Sequence, residues 1–435
     1  MKKLKEPVVS KKVLIPFVLI TSLFALWGFA NDITNPLVAA FQTVMEISNV
    51  RAALVQFAFY GGYATMALPA ALFVKKYSYK KGILMGLSLY AVGALLFFPA
   101  AQYEIFEFFL ISLYILTFGL AFLETTANPY ILSMGAPETA TRRLNLAQSF
   151  NPMGSLLGMF VASNYILSAL ESDKRNAAGD LIFTTLGEAE KAAIRTHDLS
   201  IIRDPYIVLG LVVILMFIII STSKMPKYIR TDTSAKTSDT FKRLLKNVRY
   251  REGVIAQVFY VGAQIMCWTF IIHYAGNLGI SKANAQYYNI VAMSIFLSSR
   301  FISTMLMKYL NSRLLLTIFA IGGMITTTGV IIIQGMAGLY LLVATSAFMS
   351  LMFPTIYGIA LEGLGDDATI GAAGLVMAIV GGALMPPMQG AIIDFGTVGS
   401  MPAVNFSFIL PFICFVVIAT YGYRTWKVHP KMEFR

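Results

Sequence analysis

Polar interruptions divide the 435-residue chain into apolar stretches of about 20 residues, the length that crosses a bilayer core as a helix. Their positions predict spans near 13–38, 52–74, 82–101, 106–134, 144–170 and 205–223, then near 253–277, 284–308, 313–333, 338–361, 370–393 and 403–424. Between these two sets of six lies Lys224–Arg251, a polar stretch with nine Lys or Arg and two Asp. It marks a linker between a bundle of residues 1–223 and a bundle of residues 252–435. No strand-type alternation interrupts the pattern. The expected fold class is all-α and membrane-integral, with twelve transmembrane helices in two six-helix bundles.

Composition agrees. Apolar residues make up 57% of the chain and charged ones 13%, about half the roughly 25% of a soluble domain. Soluble, disordered and disulfide-rich secreted classes are excluded. The net charge of +12 in a soluble protein would suggest nucleic acid, but its distribution says otherwise. With both termini cytoplasmic, 26 of the 34 Lys and Arg fall in cytoplasmic segments, as the positive-inside rule requires. The charge is a topology signal, and nucleic acid is not an expected partner. Lys2, Lys3, Lys5, Lys11 and Lys12 imitate the start of a signal peptide, yet no small-residue cleavage site follows, so the first apolar run reads as a retained span. The outward segment 171–204, with seven acids and five bases, is expected to be a solvated cap or mobile loop.

Catalytic and metal chemistry find little support. Cys267 and Cys414 sit in apolar runs without zinc or redox spacing. The three histidines, His197, His273 and His429, form no HExxH motif, and neither a phosphate-binding loop nor a nucleophile–base set is present. No cofactor, no metal and no enzyme activity are expected. The informative groups are instead the carboxylates inside the spans. Only Asp32 and Glu124, of 22, lie well inside long spans. A charged group at mid-bilayer costs at least about 2.5–3.5 kcal/mol and is a functional suspect by default, the alternative being a hydrogen-bonded pair that locks the bundle.

Polar stripes surround them. In WGFANDITNP, Trp27, Asn31 and Asn35 repeat at i, i+4 and i+8, with Asp32 on nearly the same face. In ETTANP, Glu124 and Asn128 are i, i+4 neighbours. Gln56, Tyr60 and Tyr63 form a stripe in the second span, Gln148, Asn151 and Ser155 in the fifth, and Tyr260, Gln264 and Trp268 in the seventh. Tyr357 follows Pro354 in the tenth. Aromatic faces beside amides and a carboxylate suit a sugar, whose C–H face stacks while fixed polar groups read its hydroxyls. Arg300, deep in the eighth span, is left open between snorkelling, a cytoplasmic gate and substrate contact.

Six plus six spans around a basic linker resemble the major facilitator superfamily, whose halves rock around a midplane site. KKYSYKKG (Lys75–Gly82) keeps the basic cluster of that superfamily's GxxxD(R/K)xGR(K/R) signature but lacks the Asp and the Gly. The segments WGFANDITNP, LETTANPYI, RLNLAQSFNPMGS, FYVGAQIMCW and FMSLMFPTIYGIALEGLG resemble those of the L-fucose/proton symporter family, from about residue 13 to 424. The resemblance implies proton-coupled symport of a monosaccharide, most of all L-fucose, by a monomer in the bacterial inner membrane, its partners being sugar, protons and the bilayer. Another hexose is the nearest alternative, and drug efflux a further one. By the same resemblance, Glu124 serves sugar recognition and proton coupling, and Asn128, Gln148 and Asn151 are its polar neighbours. Better-known members carry the first-span acid one turn later, where this chain has Asn35, so Asp32 takes the coupling role here. The expected substrate-binding set is Asn35, Gln56, Tyr60, Glu124, Asn128, Gln148, Asn151, Gln264, Trp268 and Tyr357.

Overall fold

The computed structural model describes residues 7–34, 37–47, 51, 54–174, 176, 181–226, 237–280 and 282–428. Asn35, the side chain of Gln56 and residues 227–236 of the linker lie outside the described residues. Each apolar run folds as a helix because no water is present in the hydrocarbon to satisfy backbone N–H and C=O groups. In the first half the spans are Leu14–Thr34 with Leu37–Val44, Leu54–Lys76, Tyr79–Leu95 with Phe97–Tyr103, and Phe106–Ser133. The fifth is Ala140–Gln148 with Asn151–Val161, and the sixth is Glu188–Thr222. A short linker helix, Thr237–Lys246, precedes the second half. There the spans are Val248–Asn277, Lys282–Leu306, Ser312–Ile332, Met336–Met349 with Met352–Leu361, Ala368–Met377 with Gly381–Ile393, and Ile409–Tyr423.

Three features depart from the sequence expectation. Eleven helices among the described residues are long and apolar enough to cross a membrane, and the fifth span is not one of them. It breaks at Ser149–Phe150 because Pro152 has no N–H for the carbonyl four residues back and its ring crowds that carbonyl. The sixth span begins at Glu188 rather than near 205, so much of the segment expected to be a loop is helix. Its outer part is anchored: Lys191 and Arg195 pair with Glu46 at 2.7 and 3.1 Å, and buried Asp198 accepts the N–H groups of Glu171 and Ser172, each at 2.9 Å. Finally, Thr397–Val398 and Met401–Pro402 form a minimal antiparallel hairpin, turned by Gly399 at φ +63°.

The first and fifth spans cross at two glycines. A Cβ on Gly28 would collide with the Asn151 carbonyl, and one on Gly154 with the Ala25 carbonyl. That close crossing brings the Asp32 stripe and the Asn151 stripe into one wall. Gly154→Leu should therefore lower the Tm of the detergent-solubilised protein by about 5 °C or more, since backbone carbonyls cannot rotate away from an added side chain. An unchanged melting curve would show that the crossing relaxes freely.

An even number of spans leaves both termini on one side. On that side the halves are joined by Tyr79 Oη and Thr369 Oγ1 (3.2 Å), by Arg142 Nε donating to the Thr304 carbonyl (3.2 Å), and by Asn145 Nδ2 donating to Thr355 Oγ1 (3.1 Å). Deeper in, Arg300 Nη1 donates to the Gln148 carbonyl at 3.0 Å.

Candidate functional site

Above that seal the halves enclose a cavity of about 140 Å³. The first span supplies Phe24, Trp27, Asn31 and Asp32, and Asn31 Nδ2 donates to Asp32 Oδ2 at 3.5 Å. Asp32 is 18 residues from the start of its helix, toward the side away from the termini. Glu124 is 18 residues into the fourth span, which runs the other way, so it lies nearer the floor. Two tyrosines of the second span stand between these depths. Tyr60 is an electrostatic neighbour of Asp32, and Tyr63 of Glu124.

The fifth span adds Gln148, Asn151 and Ser155 to the wall. Asn151 Nδ2 donates to the Phe24 carbonyl at 3.2 Å, tying this wall to the first span. Gln148 Nε2 donates to Asn128 Oδ1 at 2.8 Å, and Asn128 Nδ2 donates to the Glu124 carbonyl at 3.1 Å. From the second half come Tyr260, Gln264 and Trp268, one face of the seventh span. Trp268 is held by its own N–H, which donates to Ser346 Oγ at 3.1 Å, and by Phe296 edge-on at 5.1 Å.

Three buried polar atoms around this cavity have no hydrogen-bond partner among the described residues: Glu124 Oε2, Trp27 Nε1 and Tyr260 Oη. An unmet buried polar atom costs about 1–3 kcal/mol, and more if charged. An acceptor, a donor and a hydroxyl on three residues that line one cavity with aromatic neighbours suit a polyhydroxylated ligand, and the carboxylate is also a seat for a proton.

The structure brings Asp32, Tyr60, Glu124, Gln148, Asn151, Gln264 and Trp268 to the cavity wall. It places Asn128 and Tyr357 behind that wall instead, both fully buried, with Tyr357 beside Glu124 and Asn128. Trp27, Tyr63, Tyr260 and Ser155 belong to the wall although the expected set leaves them out; each already stood in a polar stripe. Asn31, Pro152 and Arg300 line it too, and the apolar members Phe24, Val261, Ile265, Met293, Phe296, Phe353 and Ile379 carry no signal that separates them from other apolar span residues.

Two helical halves around a cavity of carboxylates, amides and aromatics define a membrane transporter. Residues 18–386 match the family model of the Major Facilitator Superfamily. The chain is 69% identical to an L-fucose-proton symporter of Haemophilus influenzae, over 97% of this chain and 99% of that one. To an L-fucose-proton symporter of Escherichia coli it is 34% identical, over 94% and 92%. A crystal structure of the transporter FucP in the outward conformation matches with a TM-score of 0.86 at 32% identity, covering 95% of this chain and 99% of that one. The chain belongs to the L-fucose-proton symporter family of the major facilitator superfamily, and so to the transporters rather than the enzymes.

Proposed function

We propose that this chain carries L-fucose and a proton together across the bacterial inner membrane, with both termini and the linker cytoplasmic, as a monomer. The halves 1–223 and 252–435 rock about the cavity. The observation that carries this reading is that Glu124, Trp27 and Tyr260, each with a buried polar atom that lacks a partner among the described residues, line one cavity in a chain 69% identical to a protein named for that transport. With the termini inside, the hydrogen bonds between the halves seal the cytoplasmic side and the cavity opens outward. Similarity to a FucP structure described as outward supports the same state.

The roles follow from depth and chemistry. Asp32, nearer the outer mouth, takes up the proton, and Glu124 at the floor holds the proton or a sugar hydroxyl. Tyr60, Gln148, Asn151 and Gln264 read further hydroxyls, and Trp268 offers the stacking face. Asn128 and Tyr357 act from behind the wall by holding Gln148 and the Glu124 helix in place. One proton driven by about 150 mV supplies about 3.5 kcal/mol, enough for a few-hundred-fold accumulation.

Counterflow in proteoliposomes with L-fucose, galactose, glucose and an amino sugar tests the assignment. Exchange should be fastest with L-fucose, and equal exchange of glucose without L-fucose would overturn it. Trp268→Ala should raise the Kd for L-fucose about tenfold without loss of folded protein, because a pinned aromatic face is lost. Calorimetry on the purified variant checks this, and an unchanged Kd would make the ring a packing element.

A further inference from the structure

Arg300 is a guanidinium buried in the membrane, 3% exposed, at the cavity floor, and it forms no ion pair among the described residues. Its Cζ lies 4.5 Å over the Phe296 ring. Its Nε donates to the Ser350 carbonyl and its Nη1 to the Gln148 carbonyl. Neither acceptor is an ordinary helix carbonyl. The residues four positions on, which would normally donate to them, are Pro354 and Pro152, and proline has no N–H. Each proline thus opens its span, between Met349 and Met352 in the tenth and between Gln148 and Asn151 in the fifth, and leaves one carbonyl orphaned. The two orphans belong to opposite halves.

We propose that Arg300 is a positioning residue that clips the broken fifth span to the broken tenth, and that this clip links occupancy of the cavity to closure of the side that holds the termini. A planar fork of five donors reaches both carbonyls at once, which a lysine point charge does not. Phe296 supplies a face for the cation in place of a counter-ion. The clip also reaches the site. The residue whose carbonyl it grips, Gln148, lines the cavity and bonds through Asn128 to the helix of Glu124. Sugar held by the Gln148 amide therefore acts on the residue whose carbonyl the clip holds. The inference rests on the alternating-access reading above.

The test places spin labels at Lys81→Cys and Lys308→Cys, exposed positions on the termini side of opposite halves, in the full-length protein in lipid nanodiscs. The native Cys267 and Cys414 are buried and take no label. Distances are read by double electron–electron resonance without sugar. Arg300→Gln should move the open-to-closed ratio at least about tenfold toward open, since two hydrogen bonds from a charged donor are lost. Arg300→Lys should shift it in the same direction. Pro152→Ala, which returns the Gln148 carbonyl to its own helix while keeping the charge, should do so too. Pro152→Ala combined with Arg300→Gln should add little to Arg300→Gln alone, because both break one contact. Unchanged distances in Arg300→Gln and Pro152→Ala, or full additivity of the pair, overturn the clip. A Kd for L-fucose raised more than about tenfold with unchanged distances would make Arg300 a ligand contact instead. A wild-type protein that keeps one distance with and without L-fucose at every pH overturns alternating access and the clip with it.

Discussion

Glu124→Gln should reduce proton-driven accumulation of L-fucose from a few-hundred-fold to about onefold, the level of simple equilibration. An amide keeps the shape of the side chain and its place beside Tyr63 but carries no titratable proton. The substitution also puts a donor where Glu124 Oε2 now stands unpartnered. Two readouts separate its roles. If labelled sugar still exchanges across proteoliposomes, Glu124 serves the proton alone. If exchange is lost as well, it also contacts the sugar. Accumulation at the wild-type level would sink the site assignment altogether.

Asp32→Asn should likewise eliminate accumulation against a gradient while permitting downhill exchange, because the neutral amide imitates the protonated acid. Asp32 is buried, with Asn31 for a neighbour and Tyr60 within reach of its charge. Adding Asn35→Asp to that variant moves the acid three residues along the chain and should restore part of the coupling. Asn35→Asp alone should fall below wild type, since two carboxylates three residues apart in the chain repel each other. The decisive quantity is proton uptake that accompanies sugar entry into vesicles. Full coupling in Asp32→Asn would make Asp32 structural and leave Glu124 to couple alone.

The spans were legible because the bilayer fixes their length and forbids unpaired backbone, so hydrophobic runs alone mark them. The polar stripes were legible for a related reason, as amides and carboxylates in such runs stand out. What helical spacing does not give is how far a stripe is rotated toward the cavity. Asn128 shares the face of Glu124 by spacing, yet it stands behind the wall with Tyr357. The outer part of the sixth span was hidden because Asp198, Arg203, Asp204 and Pro205 read as loop, whereas the partners of that helix, Glu46 and the backbone at 171–172, are distant in sequence. Arg300 could be found but not interpreted, since both its acceptors are backbone carbonyls and only the two prolines betray them.

The broken fifth span also bears on how the protein is made. A translocon releases a segment sideways into lipid according to its own hydrophobicity, and among the described residues the fifth span has no helix long and apolar enough to cross unaided. Gln148, Asn151 and Ser155 make it a poor substrate for insertion on its own. Its glycine-lined face fits the first span, which has already been synthesised and carries the matching Gly28. Biogenesis is therefore order-dependent. The first span is expected to be near the exit site when the fifth emerges, since it offers what lipid does not, a carbonyl acceptor for the Asn151 amide and a close glycine crossing. If that meeting is missed, the fifth span is expected to stay outside the bilayer and the later helices to enter with reversed orientation.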